Sequence, residues 1–227
     1  MNWNEPEHPQ NLLQIYDPPV LLYVRGDASI LNSPSLGMMG TRRPTNYGTQ
    51  MAERLSRDLA SRGLTIVSGL ARGIDAISHK GATKVGGRAI GVLGTGIDIC
   101  YPKENKKLYE KVLERGAIIS EFPVGWHPAP QNFPVRNRII AGMPIGVVIV
   151  EGKQYGGSLI TARLAMEFGR KVFWRAGECD TGCELRAEPV DQAGSKAGDQ
   201  RGRCDRRAAN SGSGGFIAGG AGGGGAA

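Results

Sequence analysis

The sequence predicts an α/β protein built on a Rossmann-like, doubly wound and mostly parallel sheet. Three observations predict this class. Short β-branched runs alternate with segments of helical length, as in a chain of βαβ units. Each strand of the repeat is followed by a loop rich in Gly, Ser, Thr or Arg. No apolar run approaches the roughly 20 residues that a bilayer-spanning helix needs, so the hydrophobic runs are interpreted as core elements.

The charge divides the chain into two parts. The 227 residues carry a formal net charge of +7. Residues 1–173 hold 21 Lys and Arg against 14 Asp and Glu, whereas residues 174–227 hold seven of each. A basic domain of this size favours a polyanionic partner. The first residues have neither the basic nor the apolar region of a secretory signal, so we expect a cytoplasmic protein without membrane contact.

The predicted elements follow one another in a regular order. An N-terminal extension, residues 1–33, contains one extended stretch at 20–24 (VLLYV), which the turn-like RGD follows. The run LTIV at 64–67 is β-branched, which is typical of a buried parallel strand. The strands of the repeat are predicted at 35–39, 64–67, 89–93, 117–120 and 146–150. The helices are predicted at 47–62, 74–84, 103–115, 136–141 and 158–168.

These elements define a Rossmann-like domain over residues 34–173, and the sequence changes character after it. Glycine makes up 14 of the last 54 residues, and no hydrophobic periodicity remains. Such a segment buries too little apolar surface to fold, so residues 174–227 are predicted to be a low-complexity, disordered tail. The sheet is therefore expected to be incomplete on its C-terminal side.

The loops at the strand exits carry the candidate binding residues. In parallel sheets, ligands bind outside the carboxyl ends of the strands, where such loops gather. The pattern is specific because it recurs at successive strands. The candidate DNA- or phosphate-binding residues in these loops are Gly40, Thr41, Arg42, Arg43, Ser68, Gly69, Arg72, Gly73, Gly94, Thr95, Gly96, Gly156, Gly157 and Ser158.

The segment SGLARGID, residues 68–75, is the strongest single motif. It joins a predicted strand to a predicted helix, and two glycines allow the backbone to approach a ligand closely. The helix start offers free N–H groups and the positive end of the helix dipole, to which Arg72 adds a cation. We therefore interpret this segment as an anion cradle, most simply for phosphate.

Arginines and aromatic residues predict contacts to a nucleic acid. Arg42 and Arg43 follow a strand end, and guanidinium groups match phosphate oxygens bidentately, although a solvated charge pair is the alternative. The segment FPVRNR at 133–138 follows a loop that contains Trp126. Aromatic side chains interleaved with arginines suit single-stranded nucleic acid, although Phe133 and Trp126 as core or lid residues are an equally open interpretation.

Few residues offer catalytic chemistry. Asp75, His79 and Glu121 are the acid–base candidates, and a structural Asp75–His79 pair is the preferred interpretation. The sequence contains neither an ATP phosphate loop nor a nucleophile turn of the GxSxG type. Cysteines at 179, 183 and 204 lack a fourth ligand nearby, so we predict neither metal nor cofactor. Lys106 and Lys107 are interpreted as solvated charges at a helix start.

Taken together, the motifs resemble the DprA/Smf family, the DNA-processing proteins of natural transformation. The resemblance covers about residues 20–173 in order and spacing. It rests on GTRRPTNYG (40–48), SGLARGIDAISH (68–79), GVLGTGIDICYPKEN (91–105), SEFP (120–123), FPVRNRIIAG (133–142), VVIVEG (147–152) and GGSLITARLAMEFGRKVF (156–173).

The resemblance implies an extended Rossmann-like domain that binds single-stranded DNA, forms a homodimer and loads the RecA recombinase. It implies no catalysis. By motif match, the expected DNA contacts are Arg42, Arg43, Lys103, Arg136, Asn137 and Arg138. The alternative is a nucleotide-binding enzyme of the lysine-decarboxylase-like phosphoribohydrolase type, which shares the fold. That group carries PGGxGTxxE, whereas YGGSLIT at 155–161 lacks its Glu.

The chain departs from the family pattern after residue 173. The family continues with a Pro-Gly-Asn turn and an Asn-x-Leu-Ile segment, neither of which is present. Permitted codons chosen for residue 174 onward, read from the second base, yield GVPGNVT, which matches the family continuation. We hypothesise that residues 174–227 are an out-of-frame translation and expect a product that folds marginally. Sequencing of the gene tests this hypothesis.

Overall fold

The computed structural model describes residues 1–152 and 156–174. The strands of this part are β1 Tyr23–Gly26, β2 Ser35–Gly40, β3 Thr65–Ser68, β4 Ala89–Val92, β5 Ala117–Ser120, β6 Gly146–Glu151 and β7 Lys171–Trp174. The α-helices are α1 Asn46–Ser61, α2 Ile74–Lys84, α3 Lys106–Leu113, α4 Asn132–Gly142 and α5 Gly157–Glu167. Short 3-10 helices occupy Gln10–Gln14, Ala28–Asn32 and Lys103–Asn105.

Within the described residues the strands form one sheet in the order β1-β5-β4-β3-β2-β6-β7. β1 pairs with β5 in antiparallel fashion, and all other pairs are parallel. The predicted α/β, Rossmann-like class is confirmed. From β2 the chain first builds towards β5 and then returns to add β6 and β7 on the other side. The switch point of the topology therefore lies between β2 and β6, where open α/β sheets place their ligands.

Successive strand residues alternate between two faces of the sheet, and each face has its own core. In β6, Val147 and Ile149 belong to the cluster that contains α4 and α5, whereas Val148 and Val150 belong to the cluster of α1 and α2. This follows from the two-residue period of side chains in a strand. A third cluster packs α3 on the same side as α2. Burial on both faces explains why the strands have near-continuous hydrophobic runs rather than alternating ones.

The structure extends the predicted elements at several points. The extended stretch predicted at 20–24 becomes β1, which starts at Tyr23 and covers the free edge of β5. The single helix predicted at 103–115 is divided into a 3-10 turn and α3, and α4 begins four residues earlier than predicted, at Asn132. β7 was not predicted as a strand. It is short, and none of its four residues is fully buried.

The predicted N-terminal extension packs into the main core. Leu12, Leu22 and Ile30 are almost completely buried, and they share one cluster with strand residues of the sheet. The Arg170 guanidinium donates to the carbonyls of Asn11 and Gly142 at 2.8 and 3.1 Å, which ties the segment to the end of α5. Among the described helices, none is long and apolar enough to cross a membrane. Apart from Trp174, the predicted tail lies outside the described residues. The hypothesis of an out-of-frame translation therefore stays a prediction.

Candidate nucleic-acid interface

An open groove of about 790 Å³ lies at the carboxyl ends of the strands, over the switch point between β2 and β6. Its walls come from the loop after β2, the start of α2, the exposed Tyr101, the 128–130 segment with α4, and the start of α5. The sequence-predicted residues that line it are Gly40, Thr41, Arg42, Arg43, Arg72, Arg136, Asn137, Gly156, Gly157 and Ser158. The expectation that several strand-exit loops meet at one edge therefore agrees with the geometry.

Arg42 and Arg43 are two exposed cations of the groove. Both side chains are solvent-exposed, and the Arg42 guanidinium lies 5.6 Å from the centre of the Phe133 ring. Tyr101 also packs against Phe133, with the two ring centres 5.6 Å apart. Cations thus stand beside aromatic rings in one open space, which is the arrangement that suits both phosphates and bases.

Glu151 fixes the loop that carries these arginines, and the sequence reasoning did not identify it. The backbone N–H and the hydroxyl of Thr45 donate to the Glu151 carboxylate at 3.0 and 2.9 Å. The Thr41 N–H donates to the Glu151 carbonyl at 2.7 Å. The Thr45 hydroxyl also accepts from Gly48 N–H and so caps α1. Two features of the sequence could have indicated this role: a carboxylate at the end of a hydrophobic strand, and a threonine directly before a helix.

The start of α5 faces the groove from the opposite side of the switch point. Gly156 is the N-cap and offers no side-chain cap to the helix, and a Cβ at Gly157 would meet no atom within 4 Å. Gly156, Gly157 and Ser158 line the groove, so the start of this 11-residue helix borders it, and the helix dipole favours an anion there. Residues 153–155, between β6 and this helix, lie outside the described part.

The SGLARGID segment differs from the cradle expected from its sequence, because its donors are used inside the protein. The Gly69 N–H donates to the Asp75 carboxylate at 3.2 Å, and Ile74 N–H donates to the Thr41 carbonyl at 3.2 Å. The Ser68 hydroxyl donates to the Met38 carbonyl at 2.6 Å. The segment's own carboxylate thus occupies the place expected for phosphate.

The two glycines of this segment allow close approach of the protein's own groups. Gly73 has φ +75°, and a Cβ there would lie 2.3 Å from the Thr41 carbonyl oxygen. A Cβ at Gly69 would lie 2.1 Å from a terminal nitrogen of Arg136. Since both neighbours belong to the chain, the glycines serve packing of loop on loop. The ligand groove lies beside this packed junction.

Arg136 is buried, in contrast to the exposed phosphate contact that its motif implied. Its side chain is only 4% exposed, and its guanidinium donates to the carbonyls of Gly69 and Val92. Burial raises the pKa of the Asp75 carboxyl, and the nearby Arg136 charge opposes this rise. Burial also lowers the pKa of Arg136, which Asp75 opposes in turn. Arg136 itself joins the ends of β3 and β4, because it bonds a carbonyl at each of them.

The other predicted cations differ in how far they are already paired. Arg138 is largely buried and contacts Glu121, with Asp17 at 3.2 Å, so its charge is balanced inside the protein. Arg72 is exposed at the rim but pairs with Glu104. Lys103 is exposed in the adjacent 3-10 turn. Of these cations, Lys103 agrees best with a phosphate contact, and Arg138 departs furthest from it.

The third glycine loop, residues 94–96, lies mainly beneath the groove. The Gly94 carbonyl accepts from the Asn132 side chain at 3.0 Å, and Gly96 N–H donates to the Trp126 carbonyl at 2.9 Å. Thr95 is buried and its hydroxyl donates to the Ile99 carbonyl. These bonds make residues 94–96 a support for the 122–133 loop, which differs from the direct contact expected for them.

The acid–base candidates do not form an accessible catalytic group. His79 is fully buried, and burial lowers its pKa to about 4. Asp75 bonds the Gly69 N–H, and Glu121 pairs with Arg138. The YGGSLIT segment of this chain, which corresponds to the motif of the alternative enzyme, begins at Tyr155, which lies outside the described residues.

Comparison with known proteins places these features in a family. The family description of DNA recombination-mediator protein A matches residues 1–196. Protein Smf of Synechocystis is 45% identical over 174 residues, which are 75% of this chain and 44% of that protein. DNA processing protein DprA of Streptococcus pneumoniae is 41% identical over 189 residues, covering 83% of this chain and 67% of that protein. The chain thus spans about half the length of several curated relatives.

Solved structures agree with the sequence comparison. The structure of DprA from Streptococcus pneumoniae superposes with a TM-score of 0.75 at 41% identity, over 78% of this chain and 62% of that one. DNA processing protein A from Helicobacter pylori, described for its single-stranded DNA binding mode, superposes with a TM-score of 0.71 at 32% identity, over 76% and 79% of the two chains. The protein belongs to the DNA recombination-mediator protein A family, to which DprA and Smf proteins belong.

Proposed function

We propose that this protein binds single-stranded DNA in the groove over the switch point and acts as a DNA-processing recombination mediator. The observation that carries the proposal is the joint placement of exposed Arg42 and Arg43, the Phe133 and Tyr101 rings and the open N-terminus of α5 in one groove. Phosphates suit the arginines and the helix start, whereas bases suit the rings.

The relationship to the Helicobacter pylori protein supports the choice of ligand, since that relative is described for binding single-stranded DNA. Backbone binding of this kind is tolerant of sequence and strongly dependent on salt. Among the predicted contacts, Arg42, Arg43, Asn137 and Lys103 act directly in this proposal. Arg136 and Arg138 support the groove from below, consistent with their burial.

The wider role follows from the family and is part of the proposal. We infer that the protein loads RecA recombinase on single-stranded DNA during natural transformation, as a homodimer, in the cytoplasm and without catalysis of its own. The test is the rate of RecA filament formation on DNA coated with a single-strand-binding protein. We expect this chain to accelerate RecA filament formation, and a variant that does not bind DNA to leave the rate unchanged.

The groove itself is tested by removing Arg42 and Arg43, two exposed arginines of its wall. The double variant R42Q/R43Q should lose most affinity for oligo-dT in fluorescence anisotropy, and its log–log salt slope should fall by roughly 0.7 per lost phosphate contact. The matched control is R54Q/R57Q, which removes two exposed arginines from α1. Equal affinities of both variants and the parent chain would contradict the proposed site. Absence of binding by the parent chain at low salt would contradict the function.

A further inference from the structure

The segment KENKK, residues 103–107, forms a basic turn beside the mouth of the groove. It holds three exposed lysines and one glutamate. The glutamate, Glu104, is paired with Arg72 on the groove rim, with one N–O distance of 2.9 Å. The positive charge of the turn therefore remains on the lysines. Sequence reasoning had treated Lys106 and Lys107 as solvated charges.

This turn is hydrogen-bonded to segments that border the groove. The Asn105 side chain is buried and donates to the Leu70 carbonyl at 2.8 Å. The Tyr109 hydroxyl donates to the Tyr101 carbonyl at 3.0 Å, and Tyr101 itself lines the groove with 44% of its surface exposed. The basic turn thus adjoins the groove wall next to Tyr101.

The positions of Lys106 and Lys107 also conflict with the stability of their helix. They are the first two residues of α3, which directly follows the 3-10 turn Lys103–Asn105, and the acidic residue of that turn, Glu104, pairs with Arg72. The N-terminus of a helix carries the positive end of its dipole, so cations there are unfavourable and acids are preferred. Residues that lower the stability of a helix and gain no compensating contact are typical of functional sites. The Lys106 charge also acts on Cys100, next to Tyr101, where it lowers the thiol pKa against the rise caused by burial.

We propose that the DNA-binding groove continues past Tyr101 onto Lys106 and Lys107, which hold phosphates of nucleotides lying outside the groove. This extension rests on the proposed binding of single-stranded DNA. Continuity with the aromatic wall favours a nucleic-acid strand over an acidic protein surface. Ammonium groups are point charges that accept a phosphate in many orientations, as a strand of variable sequence and path requires.

The test compares two lengths of oligo-dT on the full chain and on the double variant K106Q/K107Q. One oligonucleotide has about 6 nucleotides, near the lower end of single-strand binding sites, and the other about 20. The short one should bind the parent and the variant equally. The long one should bind the variant about 3- to 10-fold more weakly at moderate salt, with a salt slope smaller by about 1.4, for two lost contacts.

The matched control is K80Q/K111Q, which removes the same charge from exposed positions further along α2 and α3. It should bind both lengths like the parent chain. The extension is overturned if K106Q/K107Q binds the long oligonucleotide like the parent, if it weakens both lengths equally, or if the control loses as much affinity. A parent chain that binds neither length at low salt overturns the proposed function and the extension with it. Thermal melts of all chains verify that folding is unchanged.

Discussion

At the scale of single residues, Arg136 and Arg138 of α4 are largely buried, whereas Arg42 and Arg43 are exposed to solvent. Arg136 lies beneath the groove against Gly69 and Val92, and Arg138 pairs with Glu121. Neither is an exposed phosphate clamp. Residue type alone could not separate these cases, because an arginine on a short helix suits a buried carbonyl and an exposed phosphate equally well. For Arg136 the deciding feature is Gly69, whose lack of a Cβ leaves room for the buried guanidinium.

Replacing Arg136 with methionine should destabilise the fold, with an effect that depends on pH. Losing Arg136 should cost about 3 kcal/mol, because the Gly69 and Val92 carbonyls lose their donor and the buried Asp75 loses a neighbouring cation. The pKa of Asp75, already raised by burial, should rise further. A carboxyl with a raised folded-state pKa is better tolerated when protonated, so the variant should regain stability as pH falls towards that pKa and lose it as pH rises.

Urea unfolding of the parent chain and R136M at pH 5 and pH 8 measures this effect. The groups facing Asp75 are Arg136, Arg42 and the N–H groups of Gly69 and Ala71. The double variant R136M/D75N is the control, since it removes the carboxyl and should show a smaller pH effect than R136M. A loss in R136M that is the same at both pH values would contradict the role of Asp75.

At the scale of elements, α2 shows what sequence periodicity does and does not reveal. Its bounds, Ile74–Lys84, agree with the predicted helix, but seven of its 11 residues are buried, including His79. The helix lies between α1 and α3, and a Cβ at Gly81 would lie 2.1 Å from the Ser56 hydroxyl oxygen of α1. The polar residues of α2, such as Ser78 and Lys80, do not indicate this burial. Its burial follows from the strand order, which a single sequence does not state.

The burial of His79 makes stability depend on pH. Its folded-state pKa of about 4 lies below the ordinary value of 6.5, so the unfolded chain binds more protons between these values. Stability should therefore be full above pH 6.5 and fall as pH decreases towards 4, by at most about 3 kcal/mol for this group. The variant H79L should lose this part of the pH dependence in urea unfolding, whereas H127L, at an exposed position, should retain it. Parallel pH curves for the parent and H79L would contradict this account.

At the scale of the whole molecule, the strand-exit rule predicted where a site would form, and the topology explains why. The sequence placed Gly- and Arg-rich loops after successive strands, and parallel strands bring such loops to one edge. The reversal between β2 and β6 then opens the groove beside Arg42 and the start of α5. The sequence predicted an extended stretch at 20–24, close to β1, but it did not predict the short β7, which lies at a sheet edge and has no fully buried residue.

The N-terminal segment should behave as part of one folding unit rather than as an appendage. Leu12 is fully buried in the same cluster as Val147 and Ile149 of β6. Replacing Leu12 with alanine should therefore lower the free energy of unfolding by about 2–5 kcal/mol in one cooperative transition. The nearby Tyr16 is 95% exposed, so Y16A should change it by no more than about 0.5 kcal/mol. Urea unfolding followed by far-UV circular dichroism separates the cases. An early, separate transition in L12A with an unchanged main transition would show that residues 1–33 fold independently of the sheet. A single shifted transition is expected, because the sheet's own core residues lose the contacts that Leu12 makes.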